Sequence, residues 1–376
     1  MSQKIRIPLI KPYVGVEELE AIKKVLESGY LTQGSRVKEF EKKFAEYVGI
    51  KYALATTSCT TALELALLAL DTKKGDEVIV TDFTFPATGN VVFHVNAKPI
   101  LVDVDSSSYN IDPDEVKKAV TKRTKVIIVV HQFGHSADMD PIVEIAEKYG
   151  CYVIEDAACS LGGLYKGKQT GTLGDIACFS FHPRKILTTG EGGMLVTNND
   201  AIAERAAALR DHGRKVVKDQ VYFVHPGHNF RMSDILAAVG LSQFEKFDAM
   251  LMKRKKLAKS YTKLLKSEDF GIIPPSEASW TTHTYQSYVT YVTPKYGKTR
   301  DECISILRNR FGIEGQIGTY ALHMQPAYSK LDNVDRGRLT RSEELYLRTL
   351  TLPLYHTMLE EEQQYVIESL KKLQKL

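Results

Sequence analysis

Residues 125–156, KVIIVVHQFGHSADMDPIVEIAEKYGCYVIED, decide the fold. KVIIVV is a short apolar run dominated by β-branched side chains, the composition of a strand buried on both faces. DPIVEIAEKYG follows with apolar residues at a period near 3.6, which predicts a helix. Asp140 and Pro141 fit the N-cap and first turn of that helix. CYVIED then repeats the strand pattern. Strand, helix and strand in this order predict two parallel neighbours joined by a right-handed crossover.

The pattern spreads in both directions. Strand-like runs recur at KYALAT (51–56), EVIVTD (77–82), PILVDV (99–104), ACFSF (177–181) and GMLVTN (193–198), with helical segments such as TALELALLAL between several of them. The expected fold is α/β, with a mainly parallel central sheet covered by helices. Beyond residue 245 the rhythm changes. A long basic helix (243–267), a Pro-containing loop, a strand-like YQSYVTYVT, a helix around RDECISILRNRFG and a C-terminal helix from 359 make a smaller α/β unit. A chain of 376 residues is long for one core. The expected division is an N-terminal segment and large domain over 1–245 and a small C-terminal domain over 246–376. LDNVDRGRLTRSEEL (331–345) is the most polar stretch and reads as a mobile surface loop.

Composition excludes several classes. Hydrophobic residues make up 43% and charged residues 26%, as in ordinary soluble proteins, and the net charge is only +4. Nucleic-acid binding calls for basic residues gathered on one face. The densest cluster, KRKK (253–256), lies inside a helical pattern and reads as a solvated face. Five cysteines form neither zinc-type spacings nor an even disulfide set. There is no signal-peptide core, and no apolar run approaches the ~20 residues that cross a bilayer. The expectation is a cytoplasmic protein with neither a membrane nor a nucleic-acid partner. G-x-G-x-x-G, the P-loop, H-E-x-x-H and G-x-S-x-G are absent, and His225 and His228 form only a lone H-x-x-H. No metal site is expected.

In open α/β sheets ligands sit beyond the carboxyl ends of the strands. After KYALAT come Ser58, Thr60 and Thr61 at a helix start, which suits a phosphate, although plain N-capping is the simpler reading of this stretch alone. After EVIVTD comes Phe85, either a stacking ring or a core phenylalanine. CYVIED ends in Glu155 and Asp156. A carboxylate there needs a partner, which a cationic ring nitrogen, a helix cap or an ion pair would supply. After ACFSF come Ser180 and Lys185, then the glycine-rich TTGEGG. A lysine beside apolar groups has its pKa lowered, which makes its amine nucleophilic. Together these are the parts that hold pyridoxal 5′-phosphate (PLP).

The segments IPLIKPYVGVEELEAIKKVLESGYLTQGSRVKEFEKKFAEYVG, TTSCTTALELAL, DFTFPATGN, VIEDAACSLGG, GDIACFSFHPRKILTTGEGG and GHNFRMSDILAAVGLSQ carry a resemblance. The chain resembles the DegT-type nucleotide-sugar aminotransferases, PLP enzymes of fold type I, over nearly its whole length. The resemblance implies that Lys185 binds the cofactor covalently and shuttles protons, and that Asp156 faces the pyridinium nitrogen. It implies Phe85 on the ring, Thr60, Thr61 and Ser180 around the phosphate, and Asn229 reaching the phosphate in the neighbouring subunit of a homodimer. Tyr13, Thr32 and His323 are implied on the substrate side. Cys159 stands where the family often has Gln or His toward the cofactor's phenolic oxygen, and Leu236 where it often has Gln. The implied reaction takes an amino group from glutamate to a nucleotide-linked keto-deoxysugar, 4-keto-6-deoxy before 3-keto. Two alternatives remain: a non-catalytic regulator that keeps the PLP fold, and a PLP-dependent sugar dehydratase, in which histidine replaces the lysine.

Overall fold

The seven strand-like runs lie side by side in one sheet of the computed structural model, which describes residues 6–267, 269–331 and 338–376. They are β1 (Tyr52–Thr56), β2 (Glu77–Thr81), β3 (Lys98–Val102), β4 (Thr124–Val130), β5 (Tyr152–Asp156), β6 (Ile176–Ser180) and β7 (Gly193–Thr197), in the spatial order β1-β7-β6-β5-β4-β2-β3. Every pairing from β6 to β3 is parallel, and β7 runs antiparallel to both its neighbours.

Helices cover both faces. They are α1 (Val16–Ser28), α2 (Ser35–Val48), α3 (Cys59–Ala69), α4 (Pro86–His94), α5 (Pro113–Ala119), α6 (Met139–Tyr149), α7 (Asp200–Arg210) and α8 (Asp234–Glu245). The period of two divides each strand between two cores. Val126 and Ile128 pack with Leu63 and Leu67 of α3 and Val91 of α4. Ile127 and Val129 pack with Val116 of α5 and Ile142 of α6. All four strand residues have no exposed surface, and each such burial stabilises by about 1.5–3 kcal/mol. This double covering is why the runs read as unbroken apolar stretches.

Two helix boundaries differ from the expectation. α6 starts at Met139, with Asp138 at the N-cap; the Asp138 carboxylate accepts from Tyr165 Oη at 2.6 Å. Asp140 lies instead in the first turn, where its charge suits the helix dipole and meets Lys166 Nζ at 2.6 Å. The long basic helix is two helices, because the chain breaks at Lys246 before α9 (Phe247–Lys266). The break lets Phe247 and Leu251 enter the core that holds Phe40 and Phe44.

The smaller unit has an antiparallel sheet of β8 (Ile272–Ile273), β9 (Tyr288–Val292), β10 (Gln316–Ile317) and β11 (Thr349–Leu352), in the order β8-β9-β11-β10. Leu257 and Tyr261 of α9, Leu307 of α10 (Arg300–Phe311), and Val366 and Leu370 of α12 (Glu360–Gln374) fill its core. The chain crosses between the units more than once. Ile7, 1% exposed, belongs to the small core and bridges to Ile313. Residues Tyr320–Ala321 pair with Phe83–Thr84, and Leu322, Tyr328 and Leu339 join the large core. Of the polar stretch 331–345, residues 332–337 lie outside the described residues. The remainder is not a loop: α11 (Thr340–Arg348) buries Ser342 and Leu345. Its Arg341 meets Asp103 at 3.2 Å and Asp112 at 2.7 Å.

Gly193 opens β7 where that strand touches the start of α3. A Cβ there would lie 2.4 Å from the carbonyl carbon of Ser58 and 2.5 Å from the amide nitrogen of Cys59. Backbone cannot swing aside as a side chain can. Gly193→Ala is expected to cost about 1–3 kcal/mol of stability, read from the urea midpoint. An unchanged midpoint would show that the helix start yields freely. No helix among the described residues is long and apolar enough to cross a membrane.

Candidate active site

The strand ends surround one cleft of about 560 Å³, whose walls include Ser58, Cys59, Thr60, Phe85, Thr88, Asp156, Cys159, Ser180, Lys185 and Arg254. Strand geometry separates the two neighbouring acids of β5. Glu155 points away from the cleft into a ring of donors: His131 Nε2 at 2.8 Å and the amides of Gly171, Leu173 and Gly174 at 2.7, 2.7 and 2.8 Å. Asp156 faces the cleft. Thr88 Oγ1 donates to it at 2.8 Å and the Ala158 amide at 3.2 Å. Burial pushes its carboxyl up, and these bonds and the Lys185 charge offset that only in part. Among the described residues no cation lies within ion-pair distance of it.

Lys185 follows the end of β6 in a turn closed by its amide to the His182 carbonyl at 2.8 Å. Its Nζ donates to Cys159 Sγ at 3.1 Å. Burial alone would lower its pKa, as the sequence suggested. The Cys159 sulfur, with Cys59 and Asp156 further off, outweighs burial and leaves the net direction upward.

At the N-terminus of α3, Ser58 caps by accepting from the Thr61 amide at 3.1 Å, and Thr61 Oγ1 accepts from the Ser58 amide at 3.0 Å. The cap uses Thr61, while Thr60 lines the cleft. The first-turn amides of Cys59 and Thr60 have no acceptor among the described residues, the condition that suits an anion at a helix start. Phe85 is 64% exposed, so it is not a core phenylalanine. An apolar ring left open in a cleft, a buried carboxylate without a cation, spare helix amides and an amine fit PLP on four separate points.

Other expected residues lie elsewhere. His323 is 2% exposed and outside the cleft wall, with Nδ1 on Asp82 at 2.6 Å. Tyr13 packs edge-on against His356, and Thr32 is on the surface; neither lines the cleft. Asn229 is exposed and bridged to Asp211, also away from the cleft of its own chain. TTGEGG matters first through backbone packing, since Gly193 approaches α3 and not open space.

Three cleft residues were not anticipated. Thr88 orients Asp156. Arg254, read as part of a solvated basic face, is 3% exposed and donates to the carbonyls of Tyr285 and Gln286 at 2.5 and 2.6 Å. Burial pushes its pKa down to about 10, so it stays cationic at neutral pH. Gln286 lines the cleft beside it. The hydrophobic residues flanking KRKK repeat at helical spacing, and that period places Arg254 on the inner face; its charge concealed the signal.

The family model described as DegT/DnrJ/EryC1/StrS aminotransferase family matches residues 12–371. The chain belongs to this family. Among relatives of the aminotransferase, the spore coat polysaccharide biosynthesis protein SpsC of Bacillus subtilis is 37% identical, over 98% of this chain and 97% of SpsC. GDP-perosamine synthase of Caulobacter vibrioides is 36% identical, over 99% of this chain and 100% of its own. Spr1654 of Streptococcus pneumoniae, described as a sugar aminotransferase, has been solved in a PLP form that is 28% identical with a TM-score of 0.91, covering 98% of each chain. This aminotransferase depends on PLP.

Proposed function

We propose that this enzyme transfers an amino group from glutamate to a nucleotide-linked keto-deoxysugar, most favourably a 4-keto-6-deoxy sugar, in amino-sugar or polysaccharide biosynthesis in the cytoplasm. The observation that carries this reading is one cleft that joins Lys185, Asp156 and Phe85 in a chain similar to GDP-perosamine synthase from end to end. When bound, PLP supplies an aldehyde that accepts the donor's amino group and a pyridine ring that draws charge from the donor's α-carbon. Lys185 takes the proton from that carbon and returns one to the product. Asp156 holds a proton on the ring nitrogen. Thr60, Ser180 and the free amides of α3 hold the phosphate. Arg254 and Arg184 give the cleft the positive charge that a carboxylate donor and a phosphate-bearing sugar favour.

A homodimer completes the reading. The hairpin of Arg214–Val217 and Gln220–Phe223 leaves Val216, Val221 and Phe223 at 55, 49 and 69% exposure. A second copy would cover them and bring Asn229 toward its cleft. Five free cysteines suit a reducing compartment.

The test is a panel of nucleotide keto-sugars incubated with glutamate and read by mass spectrometry. One acceptor should gain an amine as 2-oxoglutarate appears. Bound PLP with no 2-oxoglutarate from glutamate would favour a regulator, as would the 37% likeness to a relative named a pleiotropic regulatory protein, from Geobacillus stearothermophilus.

A further inference from the structure

We propose that Arg254 and Gln286 form a positioning clamp that sets the reach of Lys185 from the smaller unit. The Gln286 side chain brackets the lysine's main chain. Its Oε1 accepts from the Ile186 amide at 3.0 Å, and its Nε2 donates to the Arg184 carbonyl at 2.5 Å. Both peptide units next to Lys185 are thus tied to one amide group. Gln286 is itself held from α9, where Arg254 donates to the Gln286 carbonyl at 2.6 Å and to the Tyr285 carbonyl at 2.5 Å.

The segment carrying Gln286 is firmly determined. Tyr285 has φ +52°, a region unfavourable for a bulky residue. Such a conformation persists only where surroundings impose it, and it is concentrated at functional sites. Here the Tyr285 ring stacks on His283 at 4.1 Å and its hydroxyl donates to Glu277 at 3.0 Å. One residue earlier, Thr284 Oγ1 donates to the Cys159 carbonyl at 2.8 Å. Cys159 is the residue whose sulfur meets Lys185 Nζ. The same short segment therefore fixes the lysine's backbone and the contact of its amine. A glutamine needed only for packing would not have both ends of its amide spent on the two peptides around Lys185.

The clamp concerns amino transfer itself and not the choice of sugar, so its test needs no acceptor. The PLP-loaded enzyme is titrated with pH, and the midpoint of the visible absorbance change of the lysine-bound cofactor is read for Gln286→Leu, Arg254→Met and the double variant. Each single change is expected to move the midpoint. Each should slow single-turnover reaction with glutamate by up to about 100-fold, the scale of an ångström-sized misplacement. The double variant should resemble the worse single one, because both break one linkage. Arg254→Lys, which keeps a donor, should restore part of the rate. Unchanged midpoints with only a lower melting temperature, or effects that multiply in the double variant, would overturn the clamp. If Arg254→Met does not fold, Gln286→Leu decides by its midpoint alone.

Discussion

Lys185→Ala is expected to slow amino transfer by at least about 10⁴-fold, the upper range for a positioned acid–base group. Two functions are lost at once: the covalent hold on the cofactor and the amine that moves the proton. No neighbour replaces it easily. Arg184 and Arg254 also line the cleft, but guanidinium groups keep their protons at neutral pH. The side chain makes one described hydrogen bond, to Cys159, so its removal should leave circular dichroism and the unfolding midpoint close to the parent. The rate is measured as single-turnover bleaching of bound PLP by glutamate. Borohydride reduction should fix the cofactor to the peptide containing residue 185 in the parent and to no peptide in the variant. Turnover within a hundredth of the parent's would transfer the proton-moving role to another group, and His182 would be the first to examine.

Asp156→Asn should act in opposite directions on rate and on stability. Losing one partner of a buried ion pair costs about 3–5 kcal/mol. Carried into the rate, that is a loss of roughly 10² to several 10³-fold. Without cofactor the sign reverses. Burial raises the Asp156 carboxyl, so its ionised form opposes folding. That penalty is absent below the ordinary carboxylate range and grows as pH rises toward the raised value. At pH 7 the cofactor-free variant should therefore be at least as stable as the parent, and should lack that loss of stability with rising pH. Urea unfolding at several pH values, with and without PLP, separates the two effects. A variant of near-normal rate that is also less stable without cofactor would remove Asp156 from the ring-nitrogen role.

The sheet was legible because its strands are covered on both sides. Val126 to Val129 alternate between two cores, yet all four must be apolar, so the signal has no gaps. Asp156 and Lys185 were legible because each follows a strand and carries a charge that needs a reason. Asp156 could not be separated from Glu155 by composition; the pleat does that, and the ring of donors around Glu155 comes from residues 131 and 171–174. Thr88 and Gln286 are neutral and break no pattern, so nothing in the sequence marks the partners they meet 68 and 100 positions away. Arg254 escapes a reading in which charge signals contact with water. Two carbonyls in fixed positions serve a guanidinium as well. Tyr13, Thr32 and His323 rested on resemblance alone, and the chain places all three outside its own cleft.

The crossings between the two units bear on redesign. Grafting residues 246–376 from a relative, in the hope of changing which sugar is accepted, would leave Ile7 facing a foreign core and bring in unfamiliar residues opposite Phe83 and Thr84. A workable graft would carry the segment around Ile7 along with the donor's small unit and retain the host's residues 320–345. Recombination at a single point is thus a poor route to new specificity in this chain, and changes confined to the cleft wall are the better one.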